Sequence, residues 1–367
     1  MSEPDGRGGS PDGTSPDGWT TPAGWGGPGE VPAPAPPYGQ APPYGQGGQP
    51  GWGPRPPELR PGVVPLRPLG LGEVLDGAVG VLRRYPRPAL GLAAIIAVIT
   101  VLIETLVTAT ALRPLLELDP AAIETGSEEA FTSALGGAFA GGAVAIVLAL
   151  VSGAVLSGAI TAVVGKAVLG QPMTLAEAWA AVRPVALKLI ALAILTGLVV
   201  VGVMFVGFAV SGLLFAVGSI AVAVGVLTVL ATLAAALYAY VRLSLAPCAL
   251  VLERTGITTS LKRSGVLVKG DWWRVFGILL LVLVIAGFVS LTLQVPFEAA
   301  GAGGFGGLLD PERDVLSARA LTLSAIGSIL TTTLVSPFTA GARALLYVDR
   351  RMRAEGLDVA LSAAAAR

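Results

Sequence analysis

Residues 189–241 read LIALAILTGLVVVGVMFVGFAVSGLLFAVGSIAVAVGVLTVLATLAAALYAYV, fifty-three consecutive positions without a charged side chain. As one helix this run would extend about 80 Å, against a bilayer hydrocarbon core of about 30 Å. It must therefore fold back on itself, and the small pair Ser211-Gly212 is the expected turn.

Shorter stretches of the same kind lie on either side. Residues 88–112 hold a single charge, Glu104, and residues 130–165, 275–297 and 320–342 hold none. A spanning helix takes about 20 apolar residues, so the chain has room for six. The spans are expected at 88–111, 137–164, 188–211, 214–241, 274–297 and 319–342. Helices are the choice because membrane barrels show weakly alternating strands in place of long apolar runs. The expected fold is all-α and polytopic, with a membrane domain over residues 63–352 and a short cytoplasmic tail over 353–367.

Composition agrees and narrows function. Hydrophobic residues make up 53% of the 367 positions and charged residues 13%, about half the soluble average. Mean hydropathy is +0.75. The 24 basic and 24 acidic side chains cancel, so no overall field draws the chain to nucleic acid. Histidine and asparagine are absent, which removes histidine bases, histidine-held metals and N-glycosylation. The lone Cys248 forms no internal disulfide and no thiolate cluster. Catalytic, cofactor-binding and metal residues are accordingly expected to be none.

Residues 1–62 differ in kind. The first sixty positions contain 15 Gly and 15 Pro, with repeats such as SPDG and PPYGQ, and their branched aliphatics are Val31 and Leu59 alone. Such a stretch cannot bury enough apolar surface to offset chain entropy, so a disordered, low-complexity tail is expected. No basic start leads into an apolar run, so no signal peptide is expected.

Before the first, third and fifth spans lie three similar amphipathic segments: LGEVLDGAVGVLRRYPRPALGL from Leu71, TLAEAWAAVRPVALKL from Thr174 and GITTSLKRSGVLVKGDWWRVFGIL from Gly256. In the first, Leu71, Val74, Leu75, Ala78, Leu82 and Tyr85 share one face, opposite Glu73, Asp76, Arg83 and Arg84. In the second, Leu175, Ala178, Trp179 and Val182 do so. In the third, Ile257, Leu261, Val268 and Trp272 lie opposite Lys262, Arg263 and Lys269. The unit is one interfacial helix plus a two-span hairpin, repeated three times, with each apolar face turned into the membrane interface.

Six spans place both termini on one side. That side carries seventeen flanking basic residues between Arg83 and Arg367, against Arg113, Arg313 and Arg319 on the other. The positive-inside rule makes it the cytoplasmic side of the cell membrane. The outer loops are acidic, with Glu117, Asp119, Glu124, Glu128 and Glu129 in one and Glu298, Asp310, Glu312 and Asp314 in the other.

Three phrases, LRPLGLGEVLDGAVGVLRRYPR from Leu66, LVKGDWWRVFGILLLV from Leu267 and PFTAGARALLYVDRRMRAEGLDVAL from Pro337, resemble actinobacterial integral membrane proteins similar to the membrane domain of glycerophosphoryl diester phosphodiesterases. The resemblance covers about residues 66–361. It implies a membrane domain only: the family's catalytic barrel, with its histidine and metal-binding carboxylates, has no counterpart here.

Glu104 is the intramembrane polar candidate, because carboxylates inside spans often mark proton or ion pathways. A structural hydrogen bond is the competing reading. Interfacial lipid contact is expected of Arg83, Arg84, Lys262, Arg263, Trp272, Trp273, Arg350 and Arg351, since juxtamembrane cations attract anionic headgroups. Gly153, Ser157 and Thr161, and Gly207 with Ser211, are spaced for close helix packing, within one chain or between two. Gly301, Gly303 and Gly306 match a dinucleotide fingerprint but lack its strand and helix, and are read as loop. Cys248 is read as a buried thiol, with palmitoylation the alternative.

The expected function is non-enzymatic: a cell-envelope scaffold or assembly protein contacting the bilayer, its anionic lipids and cytoplasmic or envelope proteins. The alternative is a transporter or lipid-handling protein. Nucleic acid is not expected as a partner.

Overall fold

The computed structural model describes residues 62–65, 67–111, 113, 128–217, 219–310 and 314–356. The expectations for residues 1–61 and 357–367, and for most acids of the first outer loop, lie outside the described residues. Among the described residues the regular structure is helical throughout, without a strand.

The chain runs α1 (Leu71–Arg84), α2 (Pro86–Ala111), α3 (Glu128–Val168), α4 (Leu175–Val182), α5 (Ala186–Val217), α6 (Ser219–Leu243), α7 (Ala246–Glu253), α8 (Ile257–Lys269), α9 (Trp272–Gly301) and α10 (Ala318–Glu355). Six helices are long and apolar enough to cross a membrane: α2, α3, α5, α6, α9 and α10. The short helices α1, α4 and α8 each precede a pair of long ones, so the threefold unit is present. α7 is an addition between the second and third units.

Local chemistry explains where the units begin. The Glu177 carboxylate accepts the Thr174 N–H at 3.0 Å, while the Thr174 hydroxyl accepts the Glu177 N–H at 3.2 Å. This reciprocal pair satisfies two donors left free at the start of α4. At α1 the Glu73 carboxylate plays the same part, accepting the Gly70 N–H at 2.6 Å and pairing with Arg67 at 2.7 Å. The third unit opens at Gly256 without such a carboxylate.

Three expectations are corrected. α5 continues through Ser211-Gly212 to Val217, and the next helix, α6, starts at Ser219. The Ser211 hydroxyl donates to the Gly207 carbonyl at 2.8 Å, a bond made inside the helix, so a small pair in an apolar setting does not by itself turn the chain. Second, α10 does not stop near 342. It continues to Glu355, with Pro337 inside it, and its charged last turns pack on the rest of the protein. Third, part of the apolar face of α1 is turned into the protein, while Leu71 at its start stays exposed. Val74, Ala78 and Val81 are fully buried, largely against α10. Gly77 makes the contact close: a Cβ there would lie 2.7 Å from Val64 Cγ1 and 2.8 Å from Leu345 Cδ1.

The main core gathers at one end of the bundle, from Val74, Ile160, Val164, Leu267, Val275, Leu345 and Tyr347 among others. Toward the far end the long helices expose apolar residues such as Leu198, Phe205, Leu227 and Leu283, as lipid-facing helices do.

Candidate functional site

The core end carries a collar of charge. Asp349, fully buried, accepts from the Leu69 N–H at 2.8 Å, Arg353 Nε at 2.9 Å and Arg274 Nη2 at 3.2 Å. The Leu69 carbonyl accepts from the same two guanidiniums, at 2.7 Å from Arg274 and 2.8 Å from Arg353. The entry to α1, the first turn of α9 and the last turns of α10 are thus tied by one carboxylate and two cations. Arg350 donates to the Leu267 carbonyl at 3.0 Å and pairs with Asp271. Glu253 accepts from Tyr347 and pairs with Arg263 at 3.1 Å and Arg351 at 3.5 Å. Glu355 binds the same two arginines at 2.5 and 3.0 Å. Partial burial disfavours the Arg263 cation, but the hydrogen bond and charge of Glu253, with the charge of Glu355, outweigh it and hold its pKa above the ordinary value.

The expected headgroup contacts therefore divide. Arg83, Arg84, Lys262 and Trp273 are exposed. Arg350, 4% exposed, is withdrawn into the protein, and Arg263 and Arg351 are engaged in ion pairs. The sequence shows these arginines as a basic cluster, whereas the pairings of Arg350 with Asp271 and of Arg351 with Glu253 join distant positions and carried no signal. Trp272 stacks on Tyr238 and Phe276 at centroid distances of 5.9 and 5.2 Å, with Trp273 set edge-on beside it.

Below these aromatics an apolar cleft opens between α6, α9 and α10, lined by Leu237, Val241, Phe276, Leu279, Leu280 and Leu283. Arg343 and Tyr240 are its main polar members, joined by a 3.0 Å hydrogen bond from the guanidinium to the phenol oxygen. Arg343 has no carboxylate within ion-pair distance among the described residues, unlike the collar arginines two and three turns further on.

A second region is polar and lies deeper. Glu104 on α2 faces a cavity of about 210 Å³ with Thr100, Ser152 of α3, and Thr332 and Ser336 of α10. Thr332 also lines a neighbouring cavity of about 300 Å³ with Ser290, Gln294, Ser328 and Thr331. Gln294 donates to Glu298 at 2.9 Å, and Glu298 borders a third cavity of about 250 Å³ with Thr108, Asp314 and Ser324. The polar positions form a stripe from the Glu298 end of the bundle to Glu104. Among the described residues no group of three His, Cys, Asp or Glu is placed to hold a metal ion.

Most of the remaining motifs resolve as packing, although Gly153 has open space where a Cβ would lie. A Cβ on Gly207 would lie 1.9 Å from the Thr232 hydroxyl, so that stripe serves the α5–α6 contact within one chain. Thr161 donates to the Ser157 carbonyl at 2.7 Å and lies 3.7 Å from the Cys248 sulfur, which is buried. Burial leaves that thiol unpresented for acylation. Gly303 and Gly304 have φ of 83° and 127° and form the turn after α9.

Six apolar helices in three short-long-long units, bound by a charged collar, define a polytopic α-helical membrane protein. The chain belongs to the family of a domain of unknown function, DUF7847, whose profile matches residues 69–350. No curated protein and no solved structure matches it.

Proposed function

We propose that this is a non-enzymatic, lipid-handling membrane protein that holds an anionic phospholipid in the cleft between α6, α9 and α10. The observation that carries the reading is Arg343, a cation without a carboxylate partner among the described residues, at the polar edge of an otherwise largely apolar cleft. Six residues separate it from Asp349, about 9 Å along α10, which sets it just inside the collar. Trp272 and Trp273 pack on Phe276, which lines the cleft, with Tyr238 stacked on Trp272, and these are residue types that favour headgroup depth. A phosphate at Arg343 would leave its acyl chain along Leu237, Leu280 and Leu283. The seventeen flanking basic residues favour a cytoplasmic collar, and the lipid then belongs to the inner leaflet of the cell membrane. An envelope scaffold would need a docking surface of defined chemistry, and the described residues favour none.

The experiment is native mass spectrometry of the full chain released from mixed vesicles of phosphatidylglycerol and phosphatidylcholine. The wild type is expected to retain phosphatidylglycerol selectively and Arg343→Gln to lose that selectivity. Equal retention by both proteins overturns the reading. Lys262→Gln, on the exposed collar surface, controls for general charge attraction.

A further inference from the structure

Glu104 lies inside a membrane-spanning helix, where an ionised carboxylate without a partner is costly. Among the described residues no lysine or arginine lines its cavity, and no protein group hydrogen-bonds its carboxylate. Three of the four hydroxyls around it are equally uncommitted. In membrane helices here the usual arrangement is donation to the carbonyl four residues earlier, as in Thr110, Thr196 and Thr232. Ser152 does this too, to Leu148 at 2.8 Å, which leaves its lone pairs free. Thr100, Thr332 and Ser336 make no side-chain hydrogen bond to any described residue. Pro337, lacking an N–H, cannot donate to the Thr333 carbonyl, so a further acceptor is left over in the turn that carries Thr332 and Ser336.

We infer that this cavity binds a monovalent cation, coordinated by the Glu104 carboxylate and the hydroxyl oxygens of Thr100, Ser152, Thr332 and Ser336. The ligand set consists of hard oxygens, which suits alkali and alkaline-earth cations over transition metals. Charge then selects among them. One carboxylate balances one positive charge, whereas a divalent ion would leave an uncompensated charge in the bilayer. Polar positions continue from Thr332 through Ser328 and Gln294 to Glu298 and Ser324, toward the end opposite the collar. This site is separate from the lipid cleft and stands or falls independently of it.

The test is thermal unfolding of the full chain in nanodiscs of neutral lipid, in sodium, potassium, methylammonium or choline chloride at equal ionic strength. Choline is the reference, because its charge is shielded by three methyl groups and a hydroxyethyl arm, so carboxylate and hydroxyl oxygens cannot coordinate it directly. A bound ion should raise Tm by about 2 °C or more over choline. The alkali and methylammonium arms distinguish an inorganic ion from a primary ammonium group. Glu104→Gln should abolish the difference. Should that variant fail to fold, Gly153→Leu replaces it: Gly153 lines the cavity and a Cβ there meets nothing within 4 Å, so the larger side chain has room beside the ligands without displacing a neighbour. Identical Tm values in all four salts overturn the inference, as does a cation-dependent shift that survives Glu104→Gln or Gly153→Leu.

Discussion

Asp349, near the end of α10, accepts the backbone N–H of Leu69 at 2.8 Å across 280 positions of sequence. The bond closes the collar by fixing the start of the membrane domain to its last helix. The same carboxylate holds Arg274 and Arg353, so its removal would strand two guanidiniums beside the Leu69 carbonyl. Asp349→Ala should cost about 3–5 kcal/mol, the range for breaking a buried charge pair by deleting one partner. Asp349→Asn should cost less, because the amide oxygen can still accept from Leu69. Thermal unfolding in mild detergent reads both, with Asp76→Asn on the exposed face of α1 as a control expected within about 0.5 kcal/mol of wild type.

Glu355 sits in the same collar but on its wetter side, with its side chain 27% exposed. Its pairs with Arg263 and Arg351 should contribute no more than about 1 kcal/mol, an amount that shrinks as salt rises. Glu355→Gln is therefore expected to lower Tm slightly in dilute buffer and hardly at all in high salt. A loss as large as that of Asp349→Ala, unchanged by salt, would show that solvent is kept from these pairs.

The approach of α5 to α6 depends on Gly207, whose missing side chain makes room for Thr232. Gly207→Val should destabilise by about 1–3 kcal/mol through overpacking. Adding Thr232→Ala should recover part of the loss. Gly202 lies on the same helix, and a Cβ there would meet nothing within 4 Å, so Gly202→Ala should be near neutral. Denaturant titration in mixed micelles compares the three.

Distance between charges is a one-dimensional property, and six spans with three leading amphipathic helices were legible from it. The ends of helices were harder to see. Ser211-Gly212 looked like a turn because small residues punctuate soluble chains, yet inside a bilayer the backbone gains more by staying hydrogen-bonded. The last span was expected to end at 342 because Arg343, Asp349 and Arg350 close an apolar run, yet the helix continues to Glu355. Their helical role depends on Leu69, Asp271 and Arg274, which no local pattern links to them. Glu104 could be singled out as a lone carboxylate, but apart from Thr100, one turn earlier on α2, its hydroxyl neighbours come from α3 and α10 and emerged only when those helices were placed together.

The likeness to phosphodiesterase membrane domains that three sequence phrases led us to expect prompts a further prediction. Phosphodiester hydrolysis needs an activated water, a proton donor for the leaving alkoxide and charge on the phosphoryl oxygens. Glu73 is occupied by Gly70 and Arg67, and Asp76 is exposed to solvent. Arginine can hold a phosphate but cannot act as a base at neutral pH. The purified chain, incubated with glycerophosphodiesters and Mg²⁺, Ca²⁺ or Mn²⁺, should release no product above a mock preparation. Turnover that follows the protein through purification and is lost in Glu73→Gln or Asp76→Asn would reverse the non-enzymatic reading.

Orientation yields the last prediction. The collar joins the entry to α1, the start of α9 and the end of α10, so these three points share one end of the bundle. The turn after α9, with Phe305 exposed, and the start of α10 at Ala318 lie a full helix length away at the other. Basic residues crowd the collar end, and the positive-inside rule favours a cytoplasmic position for it. In a Cys248→Ala background, a single cysteine at Phe305 should react with a membrane-impermeant maleimide added to intact cells. One at Lys269, exposed at the end of α8, should react only after lysis. The reverse pattern would invert the protein in the membrane and move the Arg343 cleft to the outer leaflet. Labelling of both sites in intact cells would put the two ends of α9 on the same side and contradict its role as a span.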